Sequence, residues 1–200
     1  MKLFITHASP YARATRIVVR EQSLQSRVSE QVAHPFDNPP EFIASNPLGK
    51  VPCLLLDSGA SIMDSQVICD YLDRGEGDGR LSLPSGEDWQ LQTLHSVCQG
   101  LMDTLVLRRV EDARAQQGLR SDFWWDRYSH AAGRTLHWLE QRCDTLPGAL
   151  SMTHISLGSA LAYLDFRHPD ISWRADFPRL ARLSEQLEAR PSFADTLLRD

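Results

Sequence analysis

Three short groups of residues carry polar atoms that could act together on one ligand. In the first group, Ser9-Pro10 has the form of a helix start, because serine is favoured at the cap before a helix and proline at its first position. A serine hydroxyl at the positive end of a helix can donate a hydrogen bond to a thiolate, and a thiol held there loses its proton more easily. Ser9 is therefore a candidate for stabilising the sulfur of a bound molecule. The alternative is that it only caps the helix.

The second group is the turn from Asn46 to Pro52, which leads into the apolar run Cys53 to Leu56. Proline cannot donate to a sheet, so Pro52 is expected at the start of a strand, and Val51 before it is expected to be extended with its N–H and C=O free. These groups could pair with an extended peptide, as an added strand would. A cis Val51-Pro52 bond would turn that backbone outward, and an ordinary trans-proline turn is the alternative.

The third group is Asp64-Ser65, which precedes the apolar stripe Val67, Ile68, Tyr71 and Leu72 and so begins a second helix. A ligand that matches all three groups is a short peptide. It would have a negative group for the helix start, an ammonium for Asp64 and an extended backbone for the turn. The alternative is that this pair, too, is only a helix cap.

The elements that would position these groups follow the order β-α-β-α-β-β-α over residues 1–75, which predicts a mixed four-stranded sheet with helices on its faces. Residues 76–86 are rich in glycine and are predicted to form a linker. Residues 87–200 lack strand-like alternation, and the nearly uncharged run from Ile155 to Phe166 suits a helix buried on all sides. The predicted fold class is therefore an α/β domain followed by an all-helical domain.

Composition excludes several other functions. The net charge is -5 and the arginines are scattered among acids, so the sequence offers no basic face for nucleic acid or an anionic membrane. The cysteines lie in apolar surroundings without metal-ligand spacing, which indicates reduced core thiols and no metal: Cys53, Cys69, Cys98 and Cys143. No apolar run is long enough for a membrane span, so we expect a soluble cytoplasmic protein.

Taken together, the three groups and the segment Ile68-Cys69-Asp70-Tyr71-Leu72 resemble the thioredoxin-like N-terminal domain of bacterial cytosolic glutathione S-transferases of the serine type. The second half agrees, since Gly158 to Arg167 resembles the family's central helix. Arg190-Pro191-Ser192-Phe193 with Thr196 resembles the end of its last helix. The resemblance covers nearly the whole chain.

The resemblance implies an enzyme that uses glutathione as co-substrate, with Ser9 hydrogen-bonded to its sulfur. Val51, before a cis Pro52, would pair with the cysteinyl unit, and Asp64 and Ser65 would hold the γ-glutamyl end. Lys50 would assist a carboxylate of glutathione. The family also implies a cytoplasmic homodimer active in detoxification, in which the second substrate is a small, largely apolar electrophile.

The pocket for that electrophile is expected to use side chains such as Tyr11, Arg108, Arg109 and Tyr163.

Two departures from the family pattern bear on these expectations. Gln99 stands where relatives often carry an aspartate that contacts glutathione across the dimer, and Asp103 one turn later could replace it. His154 stands in place of an aspartate three residues after Ser151, which predicts a helix start weaker by about 1 kcal/mol.

Three hypotheses remain open from the sequence. The first is a glutathione transferase. The second is a non-catalytic, transferase-like binding or regulatory protein, and this hypothesis stays open because Gln99 replaces the aspartate that relatives often carry. The third is glutathione-dependent peroxide or disulfide reduction, although no cysteine occupies the position of Ser9.

Overall fold

The computed structural model describes residues 1–83 and 88–200, so residues 84–86 of the predicted linker and Glu87 lie outside the described residues. Contacts divide the chain into two compact units. One consists of Met1–Ser82 with Arg190–Asp200, and the other of Leu83–Ala189. The predicted division into residues 1–75, a linker and residues 87–200 stays a prediction. One segment differs from it: Arg190–Asp200, which the sequence analysis placed in the helical domain, packs with the first unit.

The first unit contains a mixed four-stranded sheet, as the sequence predicted, and its strand order is β2-β1-β3-β4. Strand β1 is parallel to β2 and antiparallel to β3, and β3 is antiparallel to β4. The strands are β1 (Lys2–Ile5), β2 (Ser29–Val32), β3 (Cys53–Leu55) and β4 (Ser61–Ile62). The helices of this unit are α1 (Pro10–Glu21), α2 (Pro40–Ser45), α3 (Ser65–Asp70), which continues into a π-helical turn at Tyr71–Gly75, and later α9 (Pro191–Ala194).

The core of the sheet unit is built on its two central strands. Leu3, Phe4 and Ile5 of β1 are fully buried, which is the pattern of a strand covered on both faces. Phe4 packs against Phe42 of α2 with ring centroids 5.7 Å apart. The uninterrupted apolar run of β1 thus explains its central position.

The second unit is entirely helical over its described residues, apart from turns and connections. It contains α4 (Trp89–Ala115), α5 (Asp122–Glu140), α6 (Met152–Arg167), α7 (Trp173–Asp176) and α8 (Pro178–Glu188). Helix α6 is buried along nearly all of its length and packs against α4, which also packs against α5. The lack of charge in α6 predicted this position correctly.

The segment Arg190–Asp200 lies along α1. Glu21, whose side chain is 8% exposed, accepts hydrogen bonds from Arg190 Nη2 at 3.1 Å and from Ser192 Oγ. Two arginines of α1 bind carbonyl oxygens of the segment: Arg13 Nη2 donates to Phe193 O (3.2 Å) and Arg16 Nη1 to Thr196 O (3.4 Å). These contacts explain why the segment belongs to the sheet unit.

In residues 1–83 and 88–200, none of the helices combines the length and the apolar character needed to cross a bilayer.

Candidate functional site

The strand register brings the three predicted groups to one edge of the sheet. Phe4 of β1 lies opposite Cys53 of β3, and Leu54 of β3 lies opposite Ile62 of β4. Because neighbouring strands in this set are antiparallel, β1 ends, β3 begins and β4 ends at the same edge. The connections that carry Ser9, Val51 and Asp64 therefore all emerge there.

Ser9 is the N-cap of α1, with Pro10 at the first helical position as predicted. Its Oγ accepts a hydrogen bond from Ala12 N at 3.2 Å, and its own N–H donates to Thr6 O at 3.3 Å. A hydroxyl can accept while it also donates one proton, so capping leaves the Ser9 proton available. The side chain is half-buried at the positive end of a 12-residue helix. The cap and the chemical role are therefore compatible.

The turn before β3 contains the predicted cis Val51-Pro52 bond. Asn46 fixes this turn, because its Oδ1 accepts from Leu48 N at 3.0 Å while its Nδ2 donates to Lys50 O at 2.7 Å. Within the described chain, the hydrogen bonds leave the N–H and C=O of Val51 unused, so this backbone is open to an extended ligand.

Two residues of this turn play parts that the sequence analysis did not assign. Asn46 is 1% exposed, and an asparagine that hydrogen-bonds the backbone two residues on is a recognised turn signal, so its role could have been found. Gly49 has a φ of +59°, which glycine adopts without strain.

Asp64 caps α3 and is exposed. Its Oδ1 accepts from Gln66 N at 2.8 Å and from Ser65 Oγ at 3.3 Å. Both hydrogen bonds go to one oxygen, and Oδ2 makes none within the described residues, so it is free to accept from an ammonium group. The Met63-Asp64 peptide bond is also cis.

Lys50 is an exposed cation at this edge. Lys2 and Lys50 are the chain's only lysines. Lys2 is paired with Glu41 at 2.5 Å, whereas Lys50 is exposed beside Val51 and makes no ion pair within the described chain.

Cysteine chemistry at this edge is not supported. Cys53, directly after Pro52, is fully buried, and burial raises the pKa of its thiol. Burial also raises the pKa of Cys69 strongly and that of Cys98 to about 12. These thiols are poor nucleophiles, as expected of core residues. The described residues also contain no cluster of His, Cys, Asp and Glu suited to a metal ion.

In the helical unit, two predicted pocket residues are buried, Tyr163 of α6 at 5% exposed and Arg108 of α4, which is the more deeply buried. Arg108 is 2% exposed and is bound to Asp170, His168 and Ser129, so its predicted role in lining a substrate pocket is wrong.

Gln99, the residue at the family's aspartate position, donates from Nε2 to Ser156 Oγ at 2.7 Å. Its amide is therefore directed onto α6.

The weaker start of α6 that His154 implies stays a prediction. Ser151 Oγ lies 3.0 Å from His154 Nδ1, and the serine side chain makes no capping bond to the backbone.

Comparisons with known proteins agree with this architecture. A family model described as the glutathione S-transferase N-terminal domain matches residues 8–74, and one described as the C-terminal domain matches residues 107–186.

A crystal structure of a glutathione transferase family member from Pseudomonas fluorescens Pf-5, with bound glutathione, is 35% identical to this chain. It has a TM-score of 0.92, and the match covers 100% of this chain and 99% of that one. A glutathione S-transferase from Methylobacterium radiotolerans, in complex with glutathione sulfonate, is 32% identical, with a TM-score of 0.89 and coverage of 100% and 95%. The uncharacterized GST-like protein YibF of Escherichia coli is 29% identical, with 98% of each chain covered.

Proposed function

Because the chain belongs to the glutathione S-transferase family, we propose that it binds glutathione and activates its thiol for attack on a small, largely apolar electrophile. The observation that carries the proposal is the convergence of Ser9, Val51 and Asp64 at one sheet edge, which the strand register imposes. Ser9 supplies a hydrogen-bond donor to the thiolate, Val51 supplies an open backbone N–H and C=O, and Asp64 supplies an acceptor for the ammonium group.

In the proposed complex, each part of glutathione has a matching partner. The open backbone of Val51 pairs with the cysteinyl unit, as a strand pairs with a sheet edge. Asp64 Oδ2 accepts from the γ-glutamyl ammonium, and the γ-glutamyl carboxylate lies against Ser65, whose long 3.3 Å bond to Asp64 leaves its hydroxyl able to turn to a ligand. Lys50 is near enough in sequence to assist a glutathione carboxylate.

The proposed chemistry is thiolate formation followed by carbon–sulfur bond formation. Ser9 donates its hydroxyl proton in a hydrogen bond to the sulfur while Oγ still accepts from Ala12 N, and the positive end of α1 adds to this stabilisation. The thiol proton passes to solvent, and the sulfur's electron pair forms the new bond to the electrophilic carbon. The displaced pair leaves with a leaving group or is protonated on the substrate.

Replacement of Ser9 by alanine tests this role. A lost donor to a developing or bound anion costs about 2.7 to 4 kcal/mol, so turnover with a generic aryl halide should fall by about a hundredfold or more. Ser121→Ala is a matched control, because Ser121 caps α5 by accepting from Trp124 N at 3.5 Å. The control should lose only about 1 kcal/mol of stability. Wild-type turnover in Ser9→Ala would show that the assigned role is wrong.

Calorimetric titration separates this proposal from a non-catalytic relative. We expect glutathione to bind at millimolar concentration or below, and Asp64→Asn to weaken that binding. Binding without turnover of any electrophile would favour a binding or regulatory protein. Turnover of peroxide that survives in Ser9→Ala but is lost on replacing a cysteine would favour reduction.

We also propose that the protein is a cytoplasmic homodimer that acts in detoxification, as the family resemblance implies. Sedimentation equilibrium at micromolar concentration would test the dimer, and a monomer at that concentration would refute it.

A further inference from the structure

The segment Arg190–Asp200 ends beside the turn that carries Ser9. Arg199 donates its backbone N–H to His7 O at 3.3 Å, and its guanidinium Nη2 lies 3.5 Å from His7 Nε2. His7 is two residues before Ser9 in the connection from β1 to α1. Arg199 therefore contacts the connection that carries Ser9, the proposed hydrogen-bond donor to the thiolate, although it is 192 residues from His7 in the sequence.

The contact fixes the hydrogen-bonding state of the His7 ring. A guanidinium group has only donors, so Nε2 must accept and the ring proton must lie on Nδ1. Nδ1 is buried and has no hydrogen-bond partner in the described part of the chain. The ring is thus held from one side, by Arg199, and protonation of Nε2 would remove that contact.

The charges around His7 come from three elements. Arg199 approaches from the final segment, Arg16 from α1 and Glu30 from β2. Burial lowers the pKa of His7 first, and the two arginines lower it further, while Glu30 opposes them. The neutral ring that Arg199 requires is therefore the form present at neutral pH.

We propose that Arg199 is a positioning residue for Ser9, which holds the His7-Ala8 connection so that the Ser9 hydroxyl stays aimed at the glutathione sulfur. This inference rests on the proposed function for its effect on turnover. The contact between Arg199 and His7, which we call the clamp, does not require glutathione. Its effects on the His7-Ala8 connection and on turnover are measured separately.

The first experiment uses the full chain without glutathione and follows the His7 ring and the Ser9 amide by NMR. Arg199→Ala should raise the pKa of His7, because a neighbouring positive charge is removed. It should also speed hydrogen exchange of the Ser9 N–H, which is bonded to Thr6 O. Arg182→Ala on α8 is the matched control, since Arg182 is exposed and makes no ion pair within the described residues. If Arg199→Ala leaves both quantities at their wild-type values, the clamp does not exist.

The second experiment measures glutathione conjugation by Arg199→Ala, Arg199→Lys and Arg182→Ala. We expect Arg199→Ala to lower kcat by roughly tenfold, with the KM for glutathione changed less than about twofold, because the sulfur donor moves while the peptide contacts remain. Lysine keeps the charge and should restore most of the rate.

The outcomes separate this inference from the proposed function. If the His7 pKa moves but kcat matches that of Arg182→Ala, Arg199 does not position Ser9, and the result for Ser9→Ala still decides the function. If Ser9→Ala retains wild-type turnover, the proposed function fails, while the NMR measurements still decide whether the clamp exists.

Discussion

Replacement of Arg108 by methionine should destabilise the protein by about 2 kcal/mol without altering affinity for an electrophile. Arg108 is a buried arginine of α4 that the sequence places among candidate pocket residues. In the structure its guanidinium joins α4 to Ser129 of α5 and to His168 and Asp170 beyond the end of α6. Its loss should therefore appear in stability rather than in substrate binding.

The magnitude follows from what each partner loses. His168 is fully buried and donates Nε2–H to Leu105 O at 3.0 Å, so its Nδ1 is the acceptor that Arg108 satisfies at 2.5 Å. An acceptor left unsatisfied in the interior costs about 1 to 3 kcal/mol. The pair with Asp170, whose side chain is 57% exposed, adds about 1 kcal/mol or less because solvent screens it. The variant regains the cost of burying the guanidinium, which brings the net loss to about 2 kcal/mol.

Urea unfolding followed by tryptophan fluorescence is a suitable assay, because the Trp125 ring lies 4.5 Å from the Arg108 guanidinium. Arg109→Met is the matched control: Arg109 is the next residue and half-buried, and its loss should change the free energy of unfolding by no more than about 0.5 kcal/mol. The urea m-values of wild type and both variants should agree, so that a shift in midpoint reports stability. Equal stability of the two variants, with a raised KM for the electrophile in Arg108→Met alone, would refute the reasoning and restore Arg108 to the pocket.

Three further changes have expected outcomes. Burial lowers the pKa of His168 below its usual 6.5, so below pH 6.5 the unfolded chain binds more protons than the folded one. The free energy of unfolding should therefore fall between pH 7 and pH 5, and it should fall less steeply in His168→Gln. His154→Asp should raise the free energy of unfolding by about 1 kcal/mol, because a carboxylate can accept from the Ser151 N–H at the start of α6. Glu21→Gln should cost about 1 kcal/mol, because its bonds to Arg190 lose their charge, and should speed proteolysis near residue 190.

Each of these has a control on the same chain. His137→Gln replaces an exposed histidine and is the control, so an equal effect of both histidine variants would contradict the assignment. No gain from His154→Asp would mean that the imidazole already stabilises α6 as well as a cap does. Glu41→Gln removes an exposed pair with Lys2 and should have little effect, and a loss as large as that in Glu21→Gln would show that burial of Glu21 is unimportant.

The elements at the site could be predicted because each carries a local signal. Ser9-Pro10 and Asp64-Ser65 are cap sequences, and both residues named as caps accept from the backbone of the next turn. The cis bond at Val51-Pro52 also agrees with the prediction. The thioredoxin-like sheet followed from the family resemblance, and the observed strand register carries the three groups to one edge. Their contacts with glutathione stay a prediction.

The sequence did not predict the burial of its arginines, because an arginine within a helix usually lies on the solvated face. Arg13 and Arg108 are 1% and 2% exposed. Arg13 donates to the carbonyl of Phe193, 180 residues away, and Arg108 pairs with Asp170, 62 residues away. Such pairing has no local pattern, since it depends on which helices come to lie side by side. The same reason explains why Arg190–Asp200 was assigned to the helical domain although it packs with the sheet unit.

The discontinuous sheet unit has a consequence for the order of events during synthesis. Residues 1–82 leave the ribosome first, and within them Arg16 can already pair with Glu30 and Glu21 with Arg80. The bonds of Arg13, Arg16 and Glu21 to residues 190–200 form only after the whole helical unit has been made. Until then the face of α1 that receives the segment is uncovered. A nascent chain halted before residue 190 should therefore hold a sheet whose first helix is loosely packed, and the edge that carries Ser9 should reach its final order only when translation has passed that segment.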